Sequence, residues 1–272
     1  MNSKSELVIP KIKKETILSL LRKNERIDNR GLEDYRKIQI TTGLIGKANG
    51  SSIVKLGDTT VITGVKIQVD RPFPDTPDRG IQIVNAELIP LASPIFEPGP
   101  PGEDDVELSR VVDRGLRSAE IIKLDELVLI PGEKVWAVFI DIYALDYGGN
   151  IIDASALASV SAILTAKYNK AVVENSEIVI TDEQVPLPIG NIPIFVTIAK
   201  IGDKLIVDPS YEEELVMDAR ITFVIDENEN ITGIQKGHPG VFTYGELIEA
   251  KNIAIKVSRK LRETLPLSKP ET

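Results

Sequence analysis

The segment from Lys134 to Asp146 constrains the fold more than any other part of the chain. Val135, Ala137 and Phe139 fall on one side of an extended backbone and Trp136, Val138, Ile140 and Ile142 on the other, because successive strand side chains point in opposite directions. A strand apolar on both sides has to be covered from both directions, which makes it a central strand of a sheet. Gly148 and Gly149 end it. From Asp153 to Tyr168 an Ala- and Ser-rich run reads as a helix. Its small side chains permit close approach of a sheet or second helix, so it is expected to be buried.

Other elements fall around this pair. Lys11 to Asn24 carries Ile12, Thr16, Ile17, Leu20 and Leu21 at helical spacing. Tyr35 to Thr42, Ser51 to Leu56, Thr59 to Val69 and Ile81 to Ile89 read as strands, with Val61, Thr63, Val65, Ile67 and Val69 alternating onto one face. Two stiff loops rich in proline, Arg71 to Gly80 and Pro94 to Gly102, are expected at the surface. A helix follows from Glu103 to Ala119, then a strand from Glu126 to Ile130. The last third places strands at Ile178 to Thr181, Ile192 to Ala199, Lys204 to Val207, Ala219 to Ile225 and Ile231 to Lys236. Thr243 and Glu246 form a capping box that opens a final helix, and the tail after Pro266 is expected to fray. The class is α+β, built from mixed sheets and packed helices, with a boundary near Val185 to Gly190 that divides residues 1–185 from 186–272.

Composition narrows the chemistry. With 42% hydrophobic and 27% charged residues in 272, the chain has enough apolar content for a sizeable core. The absence of Cys removes disulfides, thiolate metal sites and a Cys nucleophile, and one His excludes a multi-His metal centre. No stretch approaches the roughly 20 apolar residues that span a bilayer, so a cytoplasmic location without membrane partners is expected. A formal charge of −9 argues against coating nucleic acid through general electrostatics. Any such contact has to be local.

One local candidate exists. Arg110, Arg114 and Arg117 lie at i, i+4 and i+7, opposite a stripe of Leu108, Val111, Val112 and Leu116. Burying that stripe points the arginines outward as a cationic ridge, whose guanidinium forks suit successive phosphates of a strand. The competing reading is a solvated, salt-bridged face, since Glu103, Asp104, Glu107 and Asp113 flank it. A second candidate is the acidic run Glu212, Glu213, Glu214 and Asp218, for which a solvated turn is the commoner reading. His238, between glycines and beside Pro239, reads as a turn residue.

Arg26-Ile27-Asp28-Asn29-Arg30-Gly31, Gly50 to Thr59, Leu108 to Arg117 and Asp146 to Ser159, in this order and spacing, resemble the RNase PH family. The resemblance covers about Glu25 to Leu265. The loop Phe96-Glu97-Pro98-Gly99-Pro100-Pro101 leading into Arg110 to Arg114 is similar to the branch of non-catalytic ring subunits of the archaeal exosome. It implies an RNase PH-like fold and a complex that degrades RNA from its 3′ end by phosphorolysis, with inorganic phosphate as co-substrate and no cofactor on this chain. It also implies a heterodimer with a catalytic RNase PH-type subunit, three such pairs per six-membered ring, RNA-binding cap subunits and single-stranded RNA as partner. Arg110, Arg114 and Arg117 are then expected to contact RNA.

Phosphorolysis brings two anions together, so the site needs fixed donors that lower their repulsion. Active relatives provide them at a helix start, with a Gly-Ser/Thr-Arg segment just after an Asp-Ala pair. When that pair is set on Asp153-Ala154, Ser155 stands in place of the Gly, Ala156 of the hydroxyl and Leu157 of the Arg. Active members also carry two carboxylates six residues apart, whereas Glu214 and Asp218 are four apart, so a gap is required there. No catalytic residue is therefore expected on this chain. Two alternatives stay open: a self-sufficient phosphorolytic exoribonuclease, and a purely architectural ring subunit.

Overall fold

The computed structural model describes residues 11–174 and 177–266, and the side chain of Ile12 and the tail after Pro266 lie outside what is described. In chain order, α1 (Lys11–Arg22) precedes β1 (Ile38–Thr42), β2 (Gly50–Leu56), β3 (Thr59–Asp70) and β4 (Ile81–Leu88). Then come α2 (Glu103–Ser118), β5 (Val128–Ile130), β6 (Lys134–Asp146), α3 (Ile151–Leu164), β7 (Lys167–Glu174) and β8 (Glu177–Pro186). The chain continues through β9 (Ile194–Ile201), β10 (Lys204–Val207), α4 (Tyr211–Glu214), β11 (Ala219–Ile225), β12 (Ile231–Gly237) and α5 (Tyr244–Arg262).

The first sheet has the order β1-β2-β3-β6-β4, with β5 pairing the start of β6. β6 is central, antiparallel to β3 and parallel to β4, so the sheet is mixed. A parallel pair needs a crossover, and α2 lies within that crossover, packed on β4 and α3. This connection fixes where the ridge of α2 stands. β6 is covered on both faces only over its first half. Ile81, Val135 and Ala137 form a small cluster on the far side, while Tyr143 is exposed, so the expectation of two covered faces fails along the second half.

The second sheet, β10-β9-β11-β12, is antiparallel throughout, and α5 packs on β9 and β11. Between the sheets lies α3, buried from Ile152 to Ile163 and in contact with β2, β3 and β9. Its small residues allow Ser52 Oγ of β2 to donate a 2.7 Å hydrogen bond to the Ala158 carbonyl. One apolar cluster runs from Val54 and Val61 through Ala154, Ala158 and Ala162 to Val196 and Phe223, joining both sheets. A smaller cluster seats Ile17 and Leu21 of α1 against Ala199, Ile201 and Ile206.

The strand expected from Tyr35 begins at Ile38, the one expected over Ile178 to Thr181 runs on to Pro186, and two further elements change type at one end. The helix expected over Asp153 to Tyr168 ends at Leu164, and Lys167–Glu174 is instead β7, paired with β8. Thr165, whose hydroxyl bonds back to the Ser161 and Ala162 carbonyls, closes the helix, and the Lys167 N–H then donates to the Asn49 carbonyl. The strand expected from Glu126 to Ile130 is a 3-10 turn over Leu124–Leu127 followed by a shorter β5. Leu124 and Leu127 eclipse at i and i+3 in that geometry, and both are buried. The final helix starts at its capping box as expected, with Thr243 Oγ1 accepting from the Glu246 N–H.

Candidate functional site

α2 buries Leu108, Val111, Val112, Gly115 and Leu116 and leaves Arg110, Arg114 and Arg117 exposed. Of its acidic residues, three are engaged. Asp105 caps the helix, accepting from the N–H groups of Gly102 and Leu88 at 2.8 and 2.6 Å. Glu107 pairs with Arg220 at 2.7 Å. Asp113 holds Arg117 at 2.9 Å, and Arg117 also donates to the Gln82 carbonyl at 2.8 Å. The salt-bridged reading therefore holds at Arg117 alone. Arg110 and Arg114 carry no hydrogen bond or ion pair among the described residues.

The start of α3 is held by a buried polar network. Gly149, at φ +95°, packs against the 209–211 backbone, where a Cβ would come within 2.5 Å of Ser210 C and Tyr211 N. Its carbonyl accepts from Thr59 Oγ1 at 2.6 Å and Arg36 at 3.0 Å. Asp208 takes Arg30, Arg36 and the Asn150 amide at 2.8–2.9 Å. Arg26 and Glu213, both fully buried, pair directly. Asp153 accepts from the Tyr35 hydroxyl, the Asn150 amide, and the Thr197 N–H and hydroxyl. Burial pushes its pKa up to about 6 against those four donors.

This geometry corrects two expectations. α3 begins at Ile151, so Asp153 already lies in its first turn, and Ser155, Ala156 and Leu157 are buried further along, Leu157 at 2% exposure. Leu157 does not stand at a helix start. The Gly-polar-Arg pattern falls six residues earlier, on Gly149, Asn150 and Ile151, which puts the missing cation at Ile151. The acidic run is likewise not a solvated turn. Glu213 is paired with Arg26, and Glu214 accepts from the Tyr147 hydroxyl at 2.6 Å and the Asn150 N–H at 2.9 Å. Asp218 is exposed and bonds to the Gly202 N–H. Six residues beyond Glu214, with no gap, stands Arg220.

Ile151, Glu214 and Arg220 converge on one cleft of about 310 Å³, between α2, the start of α3 and α4. Asp104 and Glu107 line it from α2, with Phe96, Tyr147 and Tyr211 as its aromatic wall. His238, at φ +62°, is the turn residue expected and borders the same cleft. Burial, then the Arg220 charge, lowers its pKa below the usual value, so the ring is neutral at pH 7. Three carboxylates against one guanidinium, itself paired, give this cleft the wrong sign for holding phosphate. The sequence missed this assembly because its members come from four separate segments. The spacing of Glu214 and Arg220 was the available signal.

A fold of two large sheets about a buried helix, with a cleft at that helix's start, defines a member of one family. Models of the 3′ exoribonuclease family match residues 34–169 (domain 1) and 191–257 (domain 2), and the chain belongs to that RNase PH family. Among curated relatives it is similar to the exosome complex component Rrp42 of Thermococcus kodakarensis, 47% identical over 94% of this chain and 95% of that one. It is also similar to a chain of the Archaeoglobus fulgidus exosome with RNA bound to the active site, 48% identical with a TM-score of 0.86, covering 93% of this chain and 97% of that one. An archaeal exosome core gives 44% identity and a TM-score of 0.82 over 93% and 96%.

Proposed function

We propose that this chain is a non-catalytic ring subunit of an archaeal-type exosome, binding single-stranded RNA through Arg110 and Arg114 beside the active site of a catalytic RNase PH-type partner. In that complex inorganic phosphate attacks the terminal phosphodiester and releases a nucleoside diphosphate. This chain holds neither phosphate nor a cofactor. It forms a heterodimer with the partner, three of which close a six-membered ring under RNA-binding cap subunits in the cytoplasm. The observation that carries the reading is the pair of changes in the cleft: Ile151 where a guanidinium would meet phosphate, and Arg220 where a second carboxylate would stand. Losing one such donor costs about 10²-fold or more in rate. Exposed and unpaired, Arg110 and Arg114 are free to hold phosphates, while Arg117, fixed by Asp113, adds charge to the ridge.

Replacing Arg110 and Arg114 by Glu in the reconstituted ring is expected to weaken RNA binding by about a hundredfold. The slope of log affinity against log salt is expected to fall by about 0.7 for each phosphate that the ridge no longer neutralises. A ring that assembles and binds RNA with the original affinity would make the ridge architectural. Release of nucleoside diphosphates by the purified chain alone would make it a self-sufficient enzyme.

A further inference from the structure

We propose that the cleft beside Ile151 binds a guanine base, an inference that deepens the RNA-contact reading and rests on it for the source of that base. The cleft's volume, about 310 Å³, lies at the small end of the range of small-molecule sites. Phe96 and Tyr147 meet at 48°, Tyr147 and Tyr211 at 74°, so neither pair is stacked face to face. Such a wall suits a flat unstacked base.

The polar groups select which base. Asp104 has no hydrogen bond or ion pair among the described residues, and Glu107 is bonded to Arg220 through one oxygen. Both are acceptors only. Arg220 donates through Nη2 alone, leaving other N–H groups of its fork uncommitted. A ligand matching this cleft offers two adjacent donors on one edge and two adjacent acceptors on another. Guanine does so: N1–H and the 2-amino group face a carboxylate, while O6 and N7 face a guanidinium. Adenine presents a ring-nitrogen lone pair beside its amino group, which a carboxylate repels. Phosphate is opposed by Asp104, Glu107 and Glu214 together. Arg110 lies three residues beyond Glu107 on the same helix, so a strand whose phosphates lie on the ridge passes one helical turn from the cleft.

Met217 lines the cleft, and the sequence holds one other methionine, Met1, so a ¹³C-methyl label on methionine reports on this site directly. The full chain carrying that label, within the reconstituted ring, is titrated with guanosine, adenosine and inorganic phosphate. Guanosine is expected to shift the Met217 resonance saturably and to bind about tenfold more tightly than adenosine, with no shift from phosphate. Asp104→Asn alters an exposed side chain and is expected to leave the free-state resonance in place while weakening guanosine about tenfold. The proposal is overturned if guanosine leaves Met217 unmoved, if adenosine binds equally well, if phosphate alone shifts the resonance, or if Asp104→Asn binds guanosine unchanged. Guanosine carries no phosphate, so its failure leaves the arginine ridge standing, and failure of the charge-reversal experiment leaves the guanosine titration still readable.

Discussion

Asp153 is ionised at neutral pH inside the core, where four donors offset part of what burial costs its charge. Its folded pKa, about 6, exceeds the ordinary 3.8, so between these values the folded chain keeps a proton that the unfolded chain has released. Raising the pH through this window therefore lowers stability, by about 3 kcal/mol from this group. Urea unfolding of wild type and Asp153→Asn from pH 4 to 7 checks this: the stability difference, wild type minus variant, is expected to fall as pH rises and to level off above about 7. At this scale the sequence was least legible. Glu213 and Glu214 read as one acidic run, yet one neutralises Arg26 and the other caps the turn at Asn150, because partners 187 and 64 residues away decide their environment. Leu157 was misplaced for a related reason: an Asp-Ala pair fixes no helix start, whereas the Gly148-Gly149-Asn150 turn does.

α2 was legible as an element, since its apolar stripe and arginine ridge follow from 3.6-residue periodicity alone. β7 was not. Its residues follow an Ala-rich helix without a glycine or proline between, and its pairing with β8 is a tertiary fact. The packing beneath α2 carries its own consequence. A Cβ at Gly115 would lie 2.1 Å from Phe195 Cζ, and Phe195 is 1% exposed. Alanine gains about 1 kcal/mol of helix propensity over glycine, but a clash with an immobilised buried ring costs more. Gly115→Ala is expected to destabilise the chain by about 1–3 kcal/mol in denaturant unfolding, and adding Phe195→Leu to recover part of that stability.

Across the whole molecule, a net charge of −9 coexists with a cationic ridge because the arginines share one helix face while carboxylates such as Asp208 and Glu213 are spent inside. The α+β class was readable from strand and helix spacing. The cleft was not, since Phe96, Tyr147, Glu214 and His238 meet only once both sheets have closed on α3. With every residue from Ile152 to Ile163 buried, α3 joins the two large sheets through one apolar cluster that outweighs the small clusters each sheet has on its other side. Scanning calorimetry is expected to record a single heat-absorption peak with calorimetric and van't Hoff enthalpies equal; two resolved peaks would contradict it. The two family domains are accordingly not separable parts: cut at the 187–193 crossing, the first would keep α3 with its β9 side bare, and the second would lose the helix that its sheet closes on, so a graft of either half has to bring a substitute for the other.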